Sequence, residues 1–320
     1  MSIVPIVISI NNSYVIPAIT TMRSVLDSVS YRDRIKFVIF HKELEQQAMD
    51  LMTAMVSRSG GEVSFLNMKH AFSGVLDDDV KQIEMYYSLL IPQYMKNYEF
   101  VFSLDADMLV SGDILSLIPQ MPANKKIGAV RCAFRNTLLP PDVRSPLQDE
   151  TIKVGIQDTR NYFNAGLMLF NMKEIDYEDS VNCIRFILRD WPGHGESILN
   201  HVFHDSTYFF SFRWNFPMTF IPDKVMNFHP DIQHDIVAGR RDPKVQHFLF
   251  ISKPWHENHQ GLLDINKGSP GSRLTDYLEE YRKAIFAVMK EAAQLMPRLI
   301  CGPAWDDMEK LVTSREPSSH

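Results

Sequence analysis

Apolar positions in this chain gather into short unbroken runs, and the stretches between them carry apolar residues at helical spacing. Residues 3–10, 35–40 and 63–66 read as buried strands, because compact apolar runs rich in β-branched residues and bounded by polar turns fit that state. Between the first two, Ile16, Ile19, Met22, Val25 and Leu26 recur every three or four positions. Between the next two, residues 43–58 place Ala48, Leu51, Met52, Met55 and Val56 on one side and stop at Gly60-Gly61. This β-α-β-α-β order predicts right-handed crossovers and a parallel sheet. A helix over 81–96, kinked or broken at Pro92, feeds the apolar run 100–104. Further strands are expected at 127–131, 166–171 and 208–212, and helices at 177–189, 196–203 and 274–295. Pro140, Pro141 and Pro146 mark a loop reaching to Asn161.

Composition narrows the class. The 320 residues are 45% hydrophobic, enough for a sizeable core. A formal charge of -6 argues against a nucleic-acid partner, which calls for clustered basic excess. Cys132, Cys183 and Cys301 lack the spacing of a zinc site or disulfide framework. No run is long and apolar enough to span a membrane, and the first ten residues lack signal-peptide features. The expectation is a cytoplasmic protein with at most peripheral contact at the inner membrane.

Directly after the run 100–104 stand Asp105, Ala106 and Asp107. Ligands bind outside the carboxyl ends of parallel strands, so both acids face an expected cleft. Hard oxygen donors in that position suit Mg²⁺ or Mn²⁺, ions that share their coordination with substrate phosphates, which makes a nucleotide diphosphate the natural guest. Asp-x-Asp is also the pattern of a solvated turn or a helix cap, and these residues alone leave both readings open.

Other segments add a likeness. Tyr86-Tyr87-Ser88-Leu89-Leu90-Ile91-Pro92, Leu104-Asp105-Ala106-Asp107, Tyr162-Phe163-Asn164-Ala165-Gly166-Leu167-Met168-Leu169-Phe170-Asn171, and His247 followed by Lys253-Pro254-Trp255 stand in one order. On these motifs, from residue 3 to 256, the chain resembles the retaining glycosyltransferases of family 8, the group of lipopolysaccharide α-galactosyltransferases and glycogenin-like enzymes. The resemblance implies a GT-A type α/β fold, a Rossmann-like mixed sheet flanked by helices, over residues 1–258. A nucleotide half would occupy 1–115 and an acceptor half 116–258, with a helical extension and polar tail over 259–320. It implies Asp105, Asp107 and His247 as metal ligands, the imidazole favouring Mn²⁺ over Mg²⁺. Lys253 would grip the diphosphate, and Ser9, Asn11, Ser13, Tyr14 and Ala106 would complete the donor site. Asn164 would meet a hydroxyl of the transferred sugar or acceptor. The implied reaction moves galactose or glucose from a UDP-sugar to a saccharide or glycolipid acceptor such as lipopolysaccharide core or capsule. Without the motif His247 reads as a core histidine, Lys253 as an exposed lysine and Asn164 as a turn residue; Trp255 is expected to pack the cleft wall.

Several positions depart from the family pattern. Ser88 stands where an Arg is usual, Phe250 where a Gly is usual, and Cys132 where an Asp is often found. Asn11-Asn12-Ser13-Tyr14 replaces Asp-Asp-Asn-Tyr, and Gly195-Glu196-Ser197 replaces Asp-Gln-Asp. The Gln that Glu196 replaces lies near the reacting sugar carbon, so Glu196 is a candidate catalytic residue that stabilises or attacks a cationic centre. The plainer role is a helix-start cap. Two classes of function follow: a working transferase with an altered pocket, or a nucleotide-sugar-binding or scaffold protein that keeps the fold and has lost catalysis.

Overall fold

The computed structural model describes residues 2–76, 80, 82–136, 146–187, 195–218, 228–249, 253–255 and 274–296. Expectations for Phe250, Pro140, Pro141 and Cys301 lie outside these residues. The first half builds β1 (Val4–Ile10), α1 (Val15–Ser28), β2 (Ile35–His41), α2 (Gln46–Arg58) and β3 (Glu62–Asn67), as the apolar runs predict. The expected helix over 81–96 is instead a 3-10 helix, Ile83–Leu90, continued by α3 (Ile91–Tyr94). Pro92 sits in the first turn of α3, where its missing N–H leaves no helical bond unmade.

β4 (Phe100–Leu104) leads through the acidic pair into β5 (Met108–Val110), and β6 (Ile127–Arg131) follows. The expected loop over 140–161 contains α4 (Pro146–Lys153). Pro146 opens that helix, and a proline is compatible with a first turn. β7 (Phe163–Asn171) starts earlier than predicted, and α5 (Tyr177–Arg185) and α6 (Gly195–Phe203) pack behind it. β8 (Thr207–Phe210), β9 (Phe216–Pro217), α7 (Pro230–Arg241), β10 (Val245–His247) and α8 (Leu274–Leu295) complete the described elements.

The main sheet has seven strands in the order β3-β2-β1-β4-β7-β6-β8. β1, β2, β3 and β4 run parallel, while β7 is antiparallel to both β4 and β6. Both faces are covered. Val4, Ile6, Ile8 and Ile10 of β1 pack with α1, α2 and α8, whereas Val7 turns to a second cluster with Tyr87, Leu90 and the α6 residues Ile198 and Leu199. Side-chain alternation along one buried strand produces this division. The C-terminal helix shares the first core through Leu278, Tyr281, Ile285, Val288, Met289 and Ala292, and Glu291 pairs with Arg23 of α1 at 2.6 Å. Among the described residues no helix is long and apolar enough to cross a membrane.

Two irregularities make the site. Strand order reverses between β1 and β4, which opens a crevice at their carboxyl ends. Between β6 and β7 the register shifts: Ala129 faces Met168, but Val130 faces Asn164. This bulge takes Ala165, Gly166 and Leu167 out of the β6 ladder beside the crevice, a usual way for a strand to re-aim side chains.

Candidate active site

The acidic pair and His247 come from segments 140 residues apart and meet because of a second, three-stranded sheet, β5-β10-β9. In the antiparallel β5–β10 pair His247 is opposite Met108, and the Phe248 N–H donates to the Asp107 carbonyl at 3.0 Å. His247 Nε2 thereby lies 3.2 Å from Asp107 Oδ1 and 3.4 Å from Asp105 Oδ2. Ligand atoms of all three residues fall within 4.8 Å of one another. Asp107 and His247 are buried, and Asp105 is exposed at the mouth. Neighbouring Gln246 turns the opposite way, into a cleft of about 600 Å³ between α1 and α8 that does not include the acids.

Backbone and hydroxyl contacts fix the acidic turn. Asp105 N–H donates to the Gly166 carbonyl at 2.9 Å. The buried hydroxyl of Thr21 on α1 lies 2.8 Å from the carbonyls of both Ala106 and Met108, and Met108 N–H reaches it at 3.3 Å. A Cβ on Gly166 would stand 2.3 Å from the His247 ring, so glycine here makes room for the imidazole.

The geometry fits a divalent cation. Asp107 Oδ1 and His247 Nε2 are buried, face each other, and have no hydrogen-bond partner among the described residues. Orphaned buried polar atoms are costly, and a shared cation satisfies both. The remaining Asp107 oxygen is ion-paired with buried Lys253, whose ammonium also donates to the Phe248 carbonyl at 2.8 Å. Burial raises the Asp107 carboxyl, but the positive charges of His247 and Lys253 outweigh it and hold the group well below the usual carboxylate range. For His247, burial lowers the pKa while the two acids raise it to a net value of about 9.

Of the predicted donor-site residues, Ser9 is the penultimate residue of β1 and Asn11, Ser13 and Tyr14 form the turn into α1, beside the acids across the β1–β4 crevice. Asn11 Oδ1 accepts from the Ser13 backbone at 3.1 Å and from its hydroxyl at 2.6 Å, capping that turn. Burial, then the charges of Asp107 and Asp105, push the Tyr14 phenol up to about 12. Tyr14 meets Trp255 edge-on with ring centroids 6.0 Å apart, and Trp255 stacks on Tyr281 of α8 at 5.4 Å. Trp255 is thus a wall residue, as expected.

Opposite this wall, Glu196 reaches from the start of α6 to the β7 bulge. Its Oε2 accepts from Asn164 Nδ2 and from the Ala165 N–H, each at 3.0 Å. The carboxylate is therefore engaged across the crevice, on β7. Burial raises its pKa; the Ala165 N–H and the positive charge of Arg135 pull it down, and Asp105 pushes it up. Arg135 was not singled out in the sequence, where it is one cation among 33. It is buried, stacks over the Tyr162 ring at 4.1 Å, and donates to Thr151 Oγ1 at 2.9 Å. Tyr162 in turn lies 3.0 Å from Ser197 Oγ. Asn200, on the next turn of α6, clasps both backbone groups of Phe163 at 2.8 Å.

The family profile described as Glycosyl transferase family 8 matches residues 5–259. The chain belongs to glycosyltransferase family 8. A putative glycosyltransferase of Haemophilus influenzae is 23% identical over 192 residues, 58% of this chain; the chain spans 56% of that relative's length. Among solved structures, the galactosyltransferase LgtC, in complex with donor and acceptor sugar analogs, superposes with a TM-score of 0.67 at 20% identity, over 88% of this chain and 95% of LgtC. The bifunctional glycosyltransferase WbbM gives 0.69 at 20% identity, over 88% of this chain and 52% of its own. These likenesses establish the GT-A type fold.

Within the family, this chain's departures acquire local causes. Gly195 lies under the 3-10 helix Ile83–Leu90: a Cβ there would meet the Met85 carbonyl at 2.6 Å, so an Asp would not fit this packing. Cys132 is buried, its N–H bonded to the Tyr162 carbonyl at 2.9 Å, and burial pushes its thiol up to about 12. It packs as an inert side chain. Ser88 is part-buried in the same 3-10 helix and supplies no cation.

Proposed function

We propose that this family 8 protein is a metal-dependent retaining transferase that moves a hexose, galactose or glucose, from a UDP-sugar to a glycan acceptor such as a lipopolysaccharide core or capsule saccharide. The observation that carries the proposal is the meeting of Asp105, Asp107 and His247, with two buried ligand atoms that make no hydrogen bond among the described residues. Three ligands of this kind suit Mn²⁺, with Mg²⁺ as the harder alternative. When bound, such an ion acts as a Lewis acid that neutralises charge on the departing diphosphate.

The chain's own residues take the other tasks. Tyr14 and the Asn11 to Ser13 turn border the donor at the end of β1. Lys253 holds Asp107 ionised and adds a positive charge beside it, ready to share with a phosphate. Glu196 presents a carboxylate, fixed by Asn164 and the Ala165 N–H, to the face of the sugar where positive charge develops. Residues 1–115 then serve the donor together with His247 and Lys253, and the rest of 116–258 serves the acceptor.

Calorimetric titration of UDP, with and without Mn²⁺, tests this reading. Metal-dependent binding that disappears in the Asp105→Ala/Asp107→Ala double variant is expected. Absence of UDP binding under every condition would overturn it and leave a non-catalytic scaffold as the better account.

A further inference from the structure

Asn215 lies in a segment with no assigned task, yet it joins the two halves of the site. Its Oδ1 is 2.8 Å from His247 Nδ1, and its Nδ2 donates to Asn164 Oδ1 at 2.7 Å. Asn164 in turn donates from Nδ2 to Glu196. Every link is one side-chain hydrogen bond, and Asn215 and His247 are buried.

The direction of the chain is fixed by the backbone. Gly166 N–H, which can only donate, points at Asn164 Oδ1 at 3.1 Å. Asn164 must therefore present its oxygen there and its amide nitrogen to the Glu196 carboxylate, which when ionised can only accept. That orientation obliges Asn215 to face Asn164 with its NH₂ and His247 with its oxygen. An amide oxygen accepts, so His247 Nδ1 carries a proton, and in the neutral ring the Nε2 lone pair points at Asp105 and Asp107. Metal-ligating histidines depend on such outer partners for ring orientation and tautomer.

We infer that Asn215 is a positioning residue that sets the tautomer of His247 for cation binding and couples it, through Asn164, to the Glu196 side of the cleft. This rests on the metal-binding reading above and goes beyond it. It makes one hydrogen-bond chain serve both the donor and acceptor sides, and it gives Asn215 two separable duties: accepting from His247 and donating to Asn164.

The test measures Mn²⁺ binding, by loss of the free-ion EPR signal, together with sugar-nucleotide turnover. It compares the wild-type full chain with Asn215→Ala and Asn215→Asp. Removing outer partners of metal ligands typically costs about 10–100-fold in affinity, and that loss is expected for Asn215→Ala. Asn215→Asp keeps an acceptor for Nδ1–H but presents oxygen to Asn164 Oδ1. It should bind Mn²⁺ at least as tightly as wild type while its turnover falls about tenfold or more, a split that a packing role would not give. Equal Mn²⁺ affinity in wild type and Asn215→Ala overturns the inference, as does equal weakening in both variants. If the wild type binds no Mn²⁺, the metal reading itself fails, which separates the two failures. Should Asn215→Ala not fold, long-range ¹H–¹⁵N spectra of the Mg²⁺-loaded wild type decide: Nδ1–H with a bare Nε2 on His247 supports the assignment, and the opposite tautomer overturns it.

Discussion

The two walls of the crevice are built differently. On the wall we assign to the donor, the acidic turn is gripped at its main-chain groups: Asp105 N–H on the Gly166 carbonyl, Phe248 N–H on the Asp107 carbonyl, and the buried Thr21 hydroxyl under the Ala106 and Met108 carbonyls. On the wall we assign to the acceptor, Glu196, Asn164, Asn215, Tyr162 and Arg135 are positioned mainly through side chains. A backbone-held wall tolerates sequence drift as long as the fold persists, whereas a side-chain lattice changes function when one member changes. The family departure inside this lattice, Glu196, is therefore where this chain's particular chemistry is expected to reside.

The largest expected effect breaks the donor wall. Asp107→Ala removes a cation ligand and the counter-charge of two buried bases, His247 and Lys253. Mn²⁺ binding should vanish in calorimetry. Turnover should fall roughly 10³-fold, since a Lewis acid contributes several kcal/mol and about 1.4 kcal/mol is a factor of ten. Retained Mn²⁺ affinity would show that the acids serve the fold rather than a metal.

Next in size is Glu196→Gln on the acceptor wall. Both bonds to Asn164 and Ala165 use the same oxygen, so an amide can keep them while losing the charge. A fall in kcat of about tenfold or more with unchanged UDP affinity is expected, because only an interaction made in the transition state is removed. Near-normal kcat would reduce Glu196 to a structural anchor of α6.

Arg135→Met sharpens the comparison through pH. Burial already lifts the Glu196 carboxyl and Arg135 opposes that lift, so without the cation the pKa rises further. If the ionised form is the active one, activity is present above this pKa and is lost as pH falls through it. The acid limb of kcat should therefore move to higher pH, with recovery in alkaline buffer. A limb that stays in place would mean that Glu196 does not titrate in the rate-limiting step.

How much of this was legible follows from the same contrast. Apolar runs located β1 to β4 and their crossovers because local pattern and tertiary burial agree there. The acidic pair stood out as two charges at the end of such a run. The β5-β10-β9 ribbon did not, because strands of two or three residues carry no period, and β5 lies more than 100 residues from its partner β10. α7 carries its signal at its ends: His229 as cap, Pro230 and Asp231 in the first turn, and Arg240 and Arg241 in the last. Arg135 and Asn215 gave none, since a polar residue that will be buried looks in sequence like one that will be solvated.

Thr21 is the subtlest case, and it carries the smallest predicted effect. In sequence it sits among the apolar positions of α1 as a minor interruption. In the fold its hydroxyl ties that helix to the main chain of Ala106 and Met108 in the acidic turn. Thr21→Val keeps the shape and removes the donor, leaving main-chain polar groups of the turn unpaired in the core. The cost should be about 1–3 kcal/mol in urea unfolding, the price of an unmet buried hydrogen bond. Because the turn bears both carboxylates, the variant should also bind Mn²⁺ more weakly while the chemistry at Glu196 is unchanged. Such an outcome would show that the donor wall is limited by how firmly its backbone is held. A stability loss with wild-type Mn²⁺ affinity would mean instead that the β5–β10 pairing alone sets the acids in place.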